Sequence, residues 1–417
     1  MLGKIAFVSF EEAFALTRSK NFLFLALTLA LVSCKTPVAS LSVTSTPLKV
    51  GALLSLTGSW SNLGKTSKAA LEIGKEAIER EAGAPKISLL IRDTKLSPEL
   101  ALEELKGLDA QGVKIVVGPQ SSAELKALKP YADSHGILLV SQSSTAGSLA
   151  LPNDNVLRFC PSDAPESEAN AVLMKADGLT AVVPVWRADE GNDSLQAVHK
   201  AALERQGITM LNGVRYSAEA HDFSADVSSL SAAVQAAKAT YGNSVGIYCA
   251  SFDEAASLFD KASDDVVLKS VTWYGSNGFA KSDALPANAK AADFAVKVGF
   301  TAPIFGLDEA LKGRWQPLSD QIVQSTGIVP DAFALASYDA IQVAAGAYRV
   351  VGNGAFAQWK SAFLEKAQSH SGVTGSTALN DAGDRQVNAF DFWAVRLDNG
   401  TYRWVPAGSF QGGVLKR

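Results

Sequence analysis

The sequence predicts an α/β fold, with open, mainly parallel sheets in more than one lobe. Three observations carry that expectation. Strand-like and helix-like segments alternate from Lys49 onward, the order of βα units in an open sheet. The strand segments are near-continuous Val, Ile and Leu runs, as parallel strands require when helices cover both faces. Setting aside a leader and a tether leaves about 370 of the 417 residues, a length that suits roughly two domains.

The elements follow in order. "KVGALLSL" from Lys49 is a strand, and the loop "TGSWSNLG" leads from it into a helix. That helix has Leu71 and Ile78 seven apart with charges between them, the spacing of one apolar face. The Gly-Lys-Thr that follows the loop raises the question of a phosphate cradle. Gly58 and Gly64 are separated by five residues, one more than the GxxxxGK cradle allows for wrapping its N–H groups around phosphates. A nucleotide is therefore not expected. "ISLLIRDT" is a strand. "SPELALEELKGLDAQG" is a helix with Ser97 as its N-cap and Gly112 closing it. "VKIVVGP", "SAELKALKPYADSHG" and "ILLVSQS" continue the alternation.

After "VLRFCPSDAPESEA" the pattern resumes through "LTAVVPVW", "NDSLQAVHKAALERQG", "ITMLNGVRYS", "DFSADVSSLSAAVQAAKATYG", "SVGIYCAS" and "FDEAASLFDKAS". "LKSVTWYGSNG" and "DFAVKVGFTAP" read as strands. "DAFALASYDAIQVAAGAYRVV" and "AFAQWKSAFLEKAQSH" read as long helices. The end of the chain changes to β patterning around Asn399-Gly400, a hairpin signal.

The N-terminus reads as processing signal rather than fold. Arg18 and Lys20 precede "FLFLALTLALVSC", an apolar core shorter than the ~20 residues of a membrane span but of signal-peptide length. "Leu-Val-Ser-Cys" resembles the bacterial lipobox. Residues 1–33 are then a signal peptide, Cys34 the lipidated mature N-terminus, and residues 34–47 a Ser/Thr/Pro-rich flexible tether. A start codon assigned too far upstream would account for residues 1–17. Cys160 and Cys249 remain, either bonded to each other or free and buried. Net charge is -4 without basic blocks, which argues against nucleic acid as a partner.

In open α/β sheets, ligands sit beyond the carboxyl ends of the strands. Four stretches occupy such positions: "TGSWSNLG", "GPQSSAE", "SQSSTAG" and "VWRADEGNDS". Three carry small hydroxyl residues, which cap helices and also offer O–H and N–H donors together to a carboxylate. Several in register along one sheet point to a ligand site.

At these residues the sequence resembles the Leu/Ile/Val-binding family of type I periplasmic solute-binding proteins. The similarity covers about residues 48–410 and rests on "GALLSLTGSWSNLG", "VKIVVGPQSSAELKALKPYADSHGILLVSQSSTAGSL", "LRFCPSDAPESEA", "SYDAIQVAAGA" and "LNDAGDRQVNAFDFWAVRLDNGTYRW". The resemblance implies two Rossmann-like lobes joined by three crossovers, with residues 48–160 and 300–376 in one lobe and 161–299 and 377–417 in the other. It implies a small-molecule ligand, an amino acid or related carboxylate, captured between the lobes by a monomer and passed to an ABC-type membrane permease. No cofactor and no metal are implied.

Carried over by position, Ser122 gives hydroxyl or N–H to a ligand carboxylate. Ser143 offers a carbonyl to an ammonium, and Thr145 offers hydroxyl and N–H. Ser121 and Ser144 flank these positions and belong to the expected site. Phe252 falls at or beside an aromatic contact on the second lobe. Trp60 shapes the side-chain pocket, and Trp186 is either a ligand contact or core. Asn277 stands where amino-acid binders of this family place a carboxylate for the ammonium. Asn is neutral, so either a nearby acid such as Asp189 or Asp253 substitutes, or the ligand lacks an α-amine.

Enzymatic readings find little support. His135, His199, His221 and His370 have no metal-ligand spacing. "GNSVG" at 242–246 places its Ser before a strand, whereas a nucleophile elbow follows one. The expected function is an exported, lipid-anchored receptor that does no chemistry, for transport or, on the same fold, for signalling.

Overall fold

The structure is a computed structural model and describes residues 46–386 and 389–417. The expected signal peptide, Cys34 and residues 34–45 of the tether lie outside the described residues.

The first sheet holds β1 (Leu48–Leu54), β2 (Ile87–Asp93), β3 (Ile115–Val117), β4 (Leu138–Ser141) and β5 (Val156–Arg158). Its order is β2-β1-β3-β4-β5 and every pairing is parallel. Helices α1 (Ser61–Glu79), α2 (Pro98–Ala110) and α3 (Ser122–His135) make the connections. Successive strand residues face opposite layers. Val50 and Ala52 pack with Leu71 and Ile78 of α1 on one face. Leu53, Val116 and Leu139 pack with Leu105 of α2 and Leu128 of α3 on the other. Both faces are covered, which is why the strands carry apolar residues without alternation.

The chain then enters α4 (Asp163–Ala176) and the second sheet. Its first strands are β6 (Ala181–Ala188), β7 (Thr209–Met210), β8 (Val214–Ser217), β9 (Val245–Ala250), β10 (Thr272–Gly275) and β11 (Thr301–Phe305). They alternate with α5 (Glu190–Arg205), α6 (Ser224–Tyr241), α7 (Ala255–Ala262), α8 (Ala284–Ala287) and α9 (Ala289–Lys297). Helices α10 (Lys312–Thr326), α11 (Ala332–Val351) and α12 (Phe356–Ser369) follow. Ile341 of α11 and Phe363 of α12 join the core of the first sheet. After the two-stranded ladder β12 (Ser371–Gly372) and β13 (Gly375–Ser376), the strands β14 (Ala389–Asp398), β15 (Thr401–Gln411) and β16 (Val414–Lys416) return to the second sheet. Its order is β16-β15-β14-β11-β10-β9-β6-β7, with β8 also on β6, and β14 to β16 are antiparallel additions.

The chain passes between lobes three times, after β5, after β11 and before β14. A buried ion pair ties the first passage to the third: Arg158 Nε and Nη2 donate to Asp384 at 2.5 and 2.6 Å.

Three expectations need correction. The lobe boundary expected at residue 300 falls after Phe305, because β11 pairs with β10 and β14 and its Ala302 and Ile304 are core of the second lobe. "DFAVKVGFTAP" is not one strand: residues up to Lys297 are helix α9, N-capped by Asn288, whose Oδ1 accepts from Ala291 N. Its buried Ala291, Ala292, Phe294 and Ala295 have helical spacing. "ITMLNGVRYS" is two short strands broken at Gly213, where a Cβ would lie 1.8 Å from the Pro184 carbonyl oxygen. Cys160 and Cys249 are both free and buried, and burial pushes each thiol up to about 12.

Candidate functional site

The loop after β1 turns at Gly58 (φ 80°) and Trp60 (φ 58°). Gly64 is required by packing, since a Cβ there would lie 1.8 Å from the Ser55 carbonyl oxygen. Lys65 is exposed, so the Gly-Lys-Thr stretch builds no cradle.

The loops after β3 and β4 are tied by hydroxyls. Ser121 caps α3 in a reciprocal box: its Oγ accepts from Glu124 N at 3.2 Å, and Glu124 Oε2 accepts from Ser121 N at 2.9 Å. Ser122 Oγ accepts from Ser144 Oγ at 3.0 Å and from Ala146 N at 3.2 Å. Ser143 Oγ donates to Gln120 O at 2.9 Å. The first-turn N–H groups of α3 have no intrahelical acceptor and favour an anion in front of them.

From the second lobe come Phe252 after β9, Asn277 after β10 and the N-terminus of α5. Asp189 caps that helix, accepting from Asn192 N at 2.9 Å, and pairs with Arg187 at 2.9 Å. Gly278 lets its loop approach closely, since a Cβ would lie 2.6 Å from the Ser251 carbonyl oxygen.

These groups converge on a cavity of about 30 Å³ between the lobes. Trp60, Ser121, Ser122, Ser143 and Thr145 line it from one side, and Asp189, Asn192, Phe252 and Asn277 from the other. Trp60 and Gly278 also line a separate chamber of about 450 Å³ with Lys281, Trp393 and Trp404 in its wall. Ser121, Asp189 and Phe252 also line a neighbouring pocket of about 980 Å³. The lobes meet across the cleft. Trp60 N donates to Asp253 Oδ2 at 2.7 Å, and the Trp60 and Phe252 rings lie 4.9 Å apart. Lys126 of α3 and Ser148 both bond Glu190 of α5 at 2.6 Å.

Two expected site residues lie elsewhere. Trp186 lines no part of the cavity; its ring packs against the core and its Nε1 donates to Asp193 Oδ1 at 2.9 Å. Ser144 is not in the cavity wall; its Oγ donates to Ser122 Oγ and its backbone N to Ser141 Oγ. The two acids considered as substitutes for a carboxylate at 277 are already engaged, Asp189 by Arg187 and Asn192, and Asp253 by Trp60 and Ser282.

A residue that sequence reasoning missed stands behind Asn277. Glu166, in the first turn of α4, is 1% exposed. Its Oε1 accepts from Asn277 N at 3.0 Å, and its Oε2 accepts from the Asn277 side-chain amide. Burial, and then the neighbouring Asp163, push it up to about 8. Asp163 is also fully buried, and burial pushes it up to about 6. The only sequence signal was the acid-rich run "SDAPESE" at the first crossover.

The family model described as the receptor family ligand binding region matches residues 69–398. The chain belongs to that family. An uncharacterized protein of Methanocaldococcus jannaschii is 29% identical over 375 residues, covering 84% of this chain and 87% of that protein. The Leu/Ile/Val-binding protein BraC3 of Rhizobium johnstonii is 21% identical over 351 residues, covering 83% of this chain and 91% of that protein. Among solved structures, the solute-binding protein of an ABC transporter from R. palustris in complex with benzoate superposes with a TM-score of 0.70 at 18% identity. That match covers 87% of this chain and 96% of the other. The fold is that of a type I periplasmic binding protein, as the sequence predicted, and the relationship to Leu/Ile/Val-binding proteins holds. No helix among the described residues is long and apolar enough to cross a membrane.

Proposed function

We propose that this protein is an extracytoplasmic solute-binding receptor of an ABC transporter, and that it captures an amino acid or related small carboxylate between its lobes. The observation that carries this reading is the convergence of Ser122 and Thr145 from one lobe with Phe252 and Asn277 from the other on one cavity. The helix N-terminus and hydroxyls on the first side suit a carboxylate, and the aromatic pair Trp60–Phe252 suits an apolar body. A ligand that touches both lobes favours the closed form over the open one by its differential contacts.

The relatives support the same reading. One is a Leu/Ile/Val-binding protein, and one structural neighbour is a transporter component complexed with benzoate. Residues 1–33 act as a signal peptide, and Cys34 carries the lipid that holds a monomer at the outer face of a membrane. Metabolic palmitate labelling tests this: the label should appear on the wild-type chain and vanish in Cys34→Ala.

The ligand is tested by a thermal-shift screen with amino acids, small amides, aliphatic acids and aromatic carboxylates. A ligand at 100 times its dissociation constant stabilises by about 2.7 kcal/mol, which is readily seen. A shift with amino acids or carboxylates supports the reading. No shift with any of them counts against a cleft built for such solutes.

A further inference from the structure

Resting on that cleft, one acid stands out. Asn277 lines the cavity, and its backbone N and side-chain Nδ2 both donate to Glu166 behind it. Once ionised, a carboxylate only accepts, so in that state Glu166 holds the amide nitrogen inward and leaves Oδ1 as the atom free to meet a cation. Glu166 has no cation partner among the described residues and is buried. A buried carboxylate without a counter-charge is expensive. A cation arriving at Asn277 Oδ1 would supply that charge through a polarised amide.

We propose that Glu166, acting through the side chain of Asn277, is the counter-charge for a ligand ammonium, so that the cleft selects α-amino acids over simple carboxylates. Glu166 is a positioning residue here and Asn277 Oδ1 the contact. The ionisable groups around Glu166 are Asp163 one turn before it, Tyr248 from β9, and His199 from α5, whose ring lies 3.9 Å from that of Tyr248. None is a cation at neutral pH: burial holds His199 down to about 3, and Arg158 is taken by Asp384. With Glu166 pushed up to about 8, the carboxyl is mostly protonated before an amine docks. Docking of the ammonium then ionises it and releases one proton to solvent.

Calorimetry on the full chain tests this with L-leucine and L-phenylalanine against their deaminated counterparts, 4-methylpentanoate and 3-phenylpropanoate. At least one amino acid should bind. Its affinity should rise by up to about tenfold per pH unit below pH 8, with proton release seen as a buffer-dependent heat. Its deaminated counterpart should bind more weakly and without that pH dependence. Glu166→Gln should weaken amino-acid binding roughly 10- to 100-fold and flatten the profile. Adding Asn277→Asp to that variant should restore binding, because it moves the charge forward while the new glutamine amide keeps both hydrogen bonds; a merely damaged fold would not recover. Equal affinity for the deaminated acid, or unchanged amino-acid binding in Glu166→Gln, overturns the inference and leaves the cleft standing. Binding of none of the four probes by the wild-type chain overturns the cleft reading itself.

Discussion

Ser122 and Thr145 carry the same functional group, and the structure uses the two hydroxyls differently. Ser122 Oγ is the acceptor for two buried donors, Ser144 Oγ and Ala146 N. Removing it strands both, and an unsatisfied buried donor costs about 1–3 kcal/mol. Thr145 is half-buried at the cavity wall. Its hydroxyl also acts on the buried Asp163 carboxyl, so we expect Thr145→Ala to lower ligand affinity with a smaller loss of Tm than Ser122→Ala. Differential scanning calorimetry with and without ligand separates the two. An unchanged Tm in Ser122→Ala would mean that its hydrogen bonds are replaced by water. Asn277 calls for the same care. A single Asn277→Asp change would set a second carboxylate against Glu166, and two adjacent acids cannot both ionise cheaply. The pair should then share one proton and one charge before the amine arrives, so amine binding to that variant should lose the proton release expected of the wild-type chain.

At the scale of elements, the sequence was legible where local chemistry decides the outcome. Leu71 and Ile78 are both buried in α1, Ser97 caps α2 by accepting from Leu100 N, and Asn399 and Gly400 take the positive φ values of the hairpin turn. Two of the hydroxyls at strand ends and two residues carried over from the family resemblance share one cavity wall. Ser122, Thr145, Phe252 and Asn277 all reach one cavity. What could not be read was pairing at long range. Glu166 and Asn277 are separated by 111 positions, and no periodicity reports that contact. The segment 293–297 was misread because Val and Phe suit a strand as well as a helix, and the Asn288 cap decides between them. The bridge from α3 to α5 is a second long-range device. The hydrogen bond from Lys126 and then that from Ser148 hold Glu190 below the usual carboxylate range. The bridge thus favours closure above that pKa and loses its effect as pH falls through it. Lys126 is largely exposed, so the pair should contribute under about 1 kcal/mol. Glu190→Gln should weaken solute binding less than about fivefold, and the difference should vanish near 1 M salt, where the Debye length is about 3 Å. Tighter binding in that variant would show that the bridge opposes closure.

Within the whole molecule, three buried groups around α4 each make stability depend on pH. Asp163 is raised from 3.8 to about 6 and Glu166 from 4.5 to about 8, both chiefly by burial. His199 is lowered from 6.5 to about 3 by burial. A raised acid holds a proton that the unfolded chain has lost, so its stabilisation falls as pH climbs from the unfolded value to the folded one. For Asp163 that loss is complete by about pH 6. His199 acts in the opposite sense, since below 6.5 the unfolded chain binds a proton that the folded ring refuses. Between about pH 6.5 and 8, Glu166 is the one of the three still changing. Relative to Glu166→Gln, the ligand-free protein should therefore lose about 1–2 kcal/mol across that window, a drop of a few degrees in Tm. Glu166→Gln should flatten the slope. This measurement needs no knowledge of the solute: a wild-type Tm that runs parallel to that of Glu166→Gln over the window would mean that Glu166 is already ionised when the cleft is free. The amine would then meet a standing charge, and no proton would leave when it binds.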